Sequence, residues 1–190
     1  GITRPARTWN PIRINFQHLG LLITDAWRAE NWKDKFTIWF KPTGWRPENF
    51  EEKYPVSKIT DVYNFEKYGM QHSKKLMYWS IFQALITLLF ISYMYNSIAI
   101  IGLPNVFIYG VFIFLTVYSY TELMDTSKIS VFWESIRFAF GIGLIFYFGE
   151  NQLFPFANYV ILSYLVLSLL VTIYFVNSIF EKETILVAQS

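Results

Sequence analysis

The stretch FANYVILSYLVLSLLVTIYFVNSIF, residues 156–180, runs for 25 positions without an Asp, Glu, Lys, Arg or His. Roughly 20 apolar residues in a helix cross the hydrocarbon core of a bilayer, about 30 Å thick. Three more apolar stretches precede it, at 76–95, 100–120 and 129–148. In lipid the backbone hydrogen bonds must close within each segment, and these runs show no apolar-polar alternation, so they read as helices and not strands. The second stretch is introduced by Gly102, Leu103 and Pro104, the proline being suited to a first helical turn. The expected architecture is an all-α polytopic membrane protein with four spans. A count of three follows if the third segment, which carries Glu134 and Arg137, lies flat or re-enters.

Composition agrees. The chain has 190 residues, 54% of them hydrophobic and 21% aromatic, beyond the proportions of an ordinary soluble domain. Thirteen of its sixteen Lys and Arg fall in residues 1–75, leaving Lys128, Arg137 and Lys182, so two regions with different solvents are implied. A net charge of +2, with acidic residues mixed among the basic ones, argues against nucleic acid as a partner. The absence of cysteine removes disulfides, thiolate catalysis and cysteine-ligated metals from this chain. Gly1 to Pro5 lack the apolar core and cleavage site of a signal peptide, and the chain reads as a C-terminal piece of something longer. The basic N-terminal region, Lys128 and Lys182 fall on one side of the spans and the short loops on the other, so the positive-inside rule predicts both termini cytoplasmic.

Residues 1–75 have another character. Pro11 to Arg28 places Ile14, Phe16, Leu19, Leu22, Ile23, Ala26 and Trp27 mostly on one side at helical spacing, and Asn31 then stands as a cap for a second helix. There Trp32, Phe36, Trp39 and Phe40 fall at i, i+4, i+7 and i+8, with Lys33, Lys35 and Lys41 off the stripe. Such a helix suits a membrane interface, with indole rings among the headgroups and lysine stems snorkelling past them; packing on a partner domain is the alternative. Trp45 joins the interface residues. Pro42 to Pro47 break the helix, and Glu48 to Lys58, with Pro55, reads as an ordered loop.

The segments Gly1-Ile2-Thr3 with Pro5, Trp9-Asn10-Pro11-Ile12, Asn15-Phe16-Gln17-His18-Leu19, Trp32-Lys33-Asp34-Lys35-Phe36 and Gly44-Trp45-Arg46-Pro47 follow one another in an order that resembles a known family. It is the C-terminal part of the fatty acid hydroxylase and sterol desaturase superfamily, and alkylglycerol monooxygenase-like proteins are the most similar. Leu123-Met124-Asp125, Lys128 and Glu134-Ser135-Ile136-Arg137 resemble the corresponding hydrophobic tail. The resemblance covers most of the chain and is distinctive up to Pro47. It implies an integral-membrane non-haem di-iron lipid monooxygenase, with a tetrahydropterin as electron donor in the alkylglycerol branch. The family's histidine boxes are not in these residues: His18 and His72, 54 positions apart, cannot supply a di-iron site. The iron-binding domain is therefore expected upstream, residues 1–75 as the interfacial region that follows it, and residues 76–190 as the tail.

Within this chain no catalytic or metal residue is assigned. His18 is a candidate for a substrate or pterin entrance, set against a half-buried histidine satisfied by a backbone carbonyl; His72 reads as an exposed flank. Glu134 and Arg137, three apart, share a helix face and read as an interfacial salt bridge. With Glu122, Asp125 and Lys128 they form a candidate polar cluster anchoring the tail to the rest of the enzyme. Ala139 and Gly143 offer a small-xxx-small surface for packing within the chain. The partners implied are membrane lipids and the upstream domain. The rival class is a non-enzymatic anchor or assembly subunit. A transporter is weaker, because spans two and four lack polar groups to line a path.

Overall fold

The computed structural model describes residues 6–149 and 157–188 apart from positions 43, 49, 57, 58, 60, 62, 65–67 and 70–72, with side chains described as far as Ile179. Its regular structure is helical throughout: α1 (Pro11–Arg28), α2 (Trp32–Phe40), α3 (Phe50–Lys53), α4 (Lys74–Asn96), α5 (Ile98–Ile101), α6 (Leu103–Met124), α7 (Ser130–Phe148) and α8 (Ala157–Ala188). No strand occurs among the described residues. The chain divides into two compact units, Gly1–Gly69 and Met70–Ser190, a boundary slightly earlier than the one expected at residue 75.

In the first unit Asn10 starts α1. Its Oδ1 accepts from the amides of Ile12 and Arg13 at 3.0 and 3.3 Å, and Pro11 occupies the first turn, where no amide donor is needed. Asn31 holds the N-cap position of α2, but its side chain makes no cap bond; its amide instead donates to Asp34 at 3.4 Å. The cap expected of Asn31 is thus only positional. Lys35 closes the end of α1, its ammonium donating to the carbonyls of Ala26 and Trp27. Ala29, Ile38 and Phe50 form a small core, covered by Leu22, Ala26, Trp45 and Tyr54.

The second unit is an all-α polytopic membrane bundle. Four helices are long and apolar enough to cross a bilayer: α4, α6, α7 and the Ala157–Ile179 part of α8. Even the shortest, with 19 residues, extends about 28 Å. Ser73 caps α4, accepting from the Leu76 amide at 3.2 Å. The expected turn before the second span is a short helix, α5, ended by Gly102 at φ +78°, with Pro104 in the first turn of α6. That span therefore starts at 103 and extends to 124, where 100–120 was predicted.

Successive spans run antiparallel. At one end Leu76 of α4, Leu123 of α6 and Phe175 and Val176 of α8 form a core, with Val131 of α7 packed on it. Helix α6 packs on α4, α7 and α8. Towards the other end, Phe90 meets Phe112 edge to face and Tyr109 lies against Phe148. Close approach of α7 to its neighbours is made at Gly141. A Cβ there would lie 2.7 Å from Leu165 Cδ1 and 3.1 Å from Phe112 Cε2. Gly143 has nothing within 4 Å, and Ala139 is likewise exposed. The small-residue packing surface expected at Ala139 and Gly143 therefore points outward, and the one used is centred two residues from Gly143.

Candidate functional site

The most chemically distinctive feature of the bundle is a chain of polar side chains that joins all four spanning helices. It starts on α7, where Arg137 Nη2 donates to Glu134 Oε1. Glu134 Oε2 also accepts from the Ser119 hydroxyl of α6. Arg137 Nη1 donates to the Tyr164 hydroxyl of α8 at 2.8 Å, and Tyr164 donates in turn to Gln83 Oε1 on α4. Gln83 Nε2 completes the path with a 2.6 Å bond to Ser168 Oγ on α8. The donors and acceptors follow one consistent direction: Tyr164 uses its one proton towards Gln83 and its lone pair towards Arg137.

The carboxylate-guanidinium pair carries no net charge, which is the form in which ionised groups are tolerated inside a membrane protein. The salt bridge expected of Glu134 and Arg137 is present, and the bundle encloses it. Their relative exposures are 2% and 1%, and Arg137 sits about 10 Å from the start of α7. Spacing alone put both groups near a helix end; their partners on three other helices are what enclose them. Arg137 Nε has no hydrogen-bond partner in the structure, so the guanidinium is satisfied on its two terminal nitrogens only.

The rest of the proposed polar cluster divides. Glu122 is fully buried on α6, three residues beyond Ser119, and its backbone carbonyl accepts from Ser127. In the turn between α6 and α7 Asp125 is half-buried and Lys128 is exposed. In that turn Thr126 takes φ +52°, unusual for a β-branched residue, with its amide bonded to the Leu123 carbonyl.

Gln83, Ser119, Tyr164 and Ser168 were not singled out from sequence, and the reading that spans two and four lack buried polar groups is corrected. Thr116, Ser119 and Glu122 are buried on α6, and Ser168 and Thr172 on α8. A glutamine in the middle of an apolar run was the available signal. Other buried hydroxyls return to their own helices, Thr116 to the Phe112 carbonyl and Thr87 to that of Gln83. The network joins helix to helix across the bundle.

In the first unit, Trp32, Phe36, Trp39 and Phe40 are 74%, 63%, 44% and 86% exposed, so the stripe faces away from the α1–α2 core. Trp45 differs. It is half-buried against that core, with the Lys41 ammonium 6.0 Å from its ring. The turn it belongs to is fastened by Arg46, which grips Asp25 with two bonds of 2.8 and 2.7 Å and donates to the Tyr54 carbonyl at 2.8 Å. Asp25 is 3% exposed and was missed from sequence. Its hydrogen bonds and charge hold the Arg46 guanidinium above its ordinary pKa, against the opposing effect of burial. Gly44 at φ +93° makes the turn possible.

His18 is exposed on α1, and His72 lies outside the described residues. Among the described residues no three His, Cys, Asp or Glu side chains are placed to hold a metal ion. The described residues thus supply no ligand cluster for the di-iron group that the sequence resemblance implies. Compared with family models, curated proteins and solved structures, the chain gave no match.

Proposed function

We propose that this chain is the membrane-embedded C-terminal portion of a non-haem di-iron lipid monooxygenase of the fatty acid hydroxylase and sterol desaturase type, similar to alkylglycerol monooxygenases. In this reading it holds the enzyme in the bilayer and performs no chemical step itself. The observation that carries the anchoring role is the Gln83–Tyr164–Arg137–Glu134–Ser119 network. Buried polar groups that spend their bonding capacity joining four spans serve registration of the bundle. The ordered segments up to Pro47 support the family assignment. The iron ligands, and a tetrahydropterin site, belong to histidine-rich sequence preceding Gly1.

The outward aromatic stripe of α2 serves as the landing surface on the lipid headgroups, since Trp, Phe and Lys in that arrangement partition to the interface. Lys74, Lys75 and Lys128 share one end of the bundle, which supports cytoplasmic termini. Oxygen and nickel-chelate accessibility of spin labels at positions 32, 36 and 40 in vesicles tests the landing surface. Labels more accessible to the aqueous chelate than those at 33 and 41 refute it.

The function is tested by expressing the longest reading frame that contains these residues and measuring iron and dioxygen-dependent alkylglycerol cleavage, beside residues 1–190 alone. Iron and turnover in the longer protein only are expected. Stoichiometric iron on residues 1–190, or a complete frame with neither iron nor turnover, overturns the assignment; the latter leaves a non-enzymatic anchor.

A further inference from the structure

Between α4 and α8 an open groove of about 490 Å3 runs inward from the basic end of the bundle. Its α4 wall is Lys75, Tyr78, Trp79 and Phe82, a stripe at i, i+3, i+4 and i+7; its α8 wall includes Val171 and Phe175. Apart from the tyrosine hydroxyls, the lining is apolar below a single cation at the mouth. Phe82 lies about 10 Å along the helix from Lys75, well inside the hydrocarbon depth.

The mouth carries positive charge. Lys74 and Lys75 stand in the first turn of α4, where the helix dipole already presents positive charge and cations are disfavoured unless an anion compensates them. Both are exposed, and among the described residues no carboxylate forms a salt bridge with either. An anion with an apolar body is complementary to this geometry. An anionic phospholipid has both parts, a phosphate for Lys75 at headgroup level and an acyl chain for the walls below. Basic pockets between spanning helices on the cytoplasmic side recognise headgroups in this way.

We propose that the α4–α8 groove is a retained site for one anionic phospholipid, its phosphate on Lys75 and one acyl chain along Trp79, Phe82 and Val171. The site is independent of the catalytic assignment above, because it requires only the bundle.

Native mass spectrometry of the detergent-solubilised 190-residue chain, titrated with phosphatidylglycerol or with phosphatidylcholine of the same chains, tests it. One tightly held phosphatidylglycerol is expected, displacing phosphatidylcholine. Lys75→Gln should weaken it roughly five-fold, about the contribution of one basic residue near an anionic surface, while Lys128→Gln leaves it unchanged. Val171→Trp, which fills the groove, should abolish the tight lipid with helical content kept. Equal retention of the two lipids, indifference to both Lys75→Gln and Val171→Trp, or a second copy of the chain found in the groove by cross-linking through Tyr78→Cys overturns the proposal.

Discussion

Replacing Arg137 by methionine keeps much of the side-chain volume and removes the cation that meets Glu134. Two bonds between side chains disappear, one to Glu134 and one to Tyr164 across to α8. Of these only the bond to Tyr164 is interhelical, and such bonds in membrane bundles average about 0.6 kcal/mol, so its loss accounts for less than about 1 kcal/mol. The larger effect is the carboxylate left behind. Glu134 is 2% exposed and would keep only the Ser119 hydroxyl. Breaking a buried pair from one side costs about 3–5 kcal/mol, and the Ser119 hydroxyl that stays on Glu134 favours the lower part of that range. The expected destabilisation is about 3 kcal/mol. Glu134→Leu alone should cost a similar amount, because it strands the guanidinium. The double variant removes both charges and their desolvation together, and should fall within about 1 kcal/mol of the wild type. Unfolding in mixed micelles against the mole fraction of dodecyl sulfate, followed by circular dichroism, measures all four corners of the cycle. The reasoning fails if Arg137→Met costs less than about 1 kcal/mol, or if the two single effects simply add.

Gly141→Ala should destabilise the bundle by about 1–3 kcal/mol, since its Cβ would press on Leu165 at 2.7 Å within a packed core, whereas Gly143→Ala has open space and should be neutral or slightly stabilising in the same unfolding assay. Arg46→Met should strand Asp25 and loosen the first unit by about 3 kcal/mol, read as lost amide protection over residues 22–54; Arg46→Lys, which cannot grip both oxygens, should recover only part of it. The turn at Asp61 should be acid-sensitive. Its carboxylate accepts from the Tyr63 and Asn64 amides and from the Asn64 side chain, which lower its pKa below 3.8. A lowered carboxyl stabilises fully above the ordinary value and loses its effect as pH falls through the lowered one, so the two amide resonances should hold steady at pH 5 and move only below about pH 4. Asp61→Asn should abolish that transition.

Much of the architecture could be read before any coordinates. Uninterrupted apolar runs of membrane length leave helices as the only arrangement that satisfies the backbone, and Pro104 and Gly102 mark the entrance to the second span for local steric reasons. Boundaries moved where local chemistry was finer than hydropathy: α4 begins at Lys74 because Ser73 caps it, and α6 continues to Met124 through Glu122, a residue that hydropathy alone would put outside. Asn10 and Asn31 show the limit of cap signals. Both precede helices, but only Asn10 turns its side chain to the amides, while Asn31 is drawn to Asp34.

What the sequence determined by itself is the solvent of each region and the charges that region must accommodate, because transfer free energy and helical closure depend on residue type and run length. It placed Glu134 and Arg137 on one face by their spacing. Only the tertiary structure decided what surrounds that face. Ser119, Gln83, Tyr164 and Ser168 come from helices up to 85 residues apart in the chain, and no local pattern distinguishes them from hydroxyls that bond their own helix. The same holds for Gly141 against Gly143 and for Asp25 beneath Arg46. Each depends on which neighbour arrives at a given height and angle, and that is settled by packing.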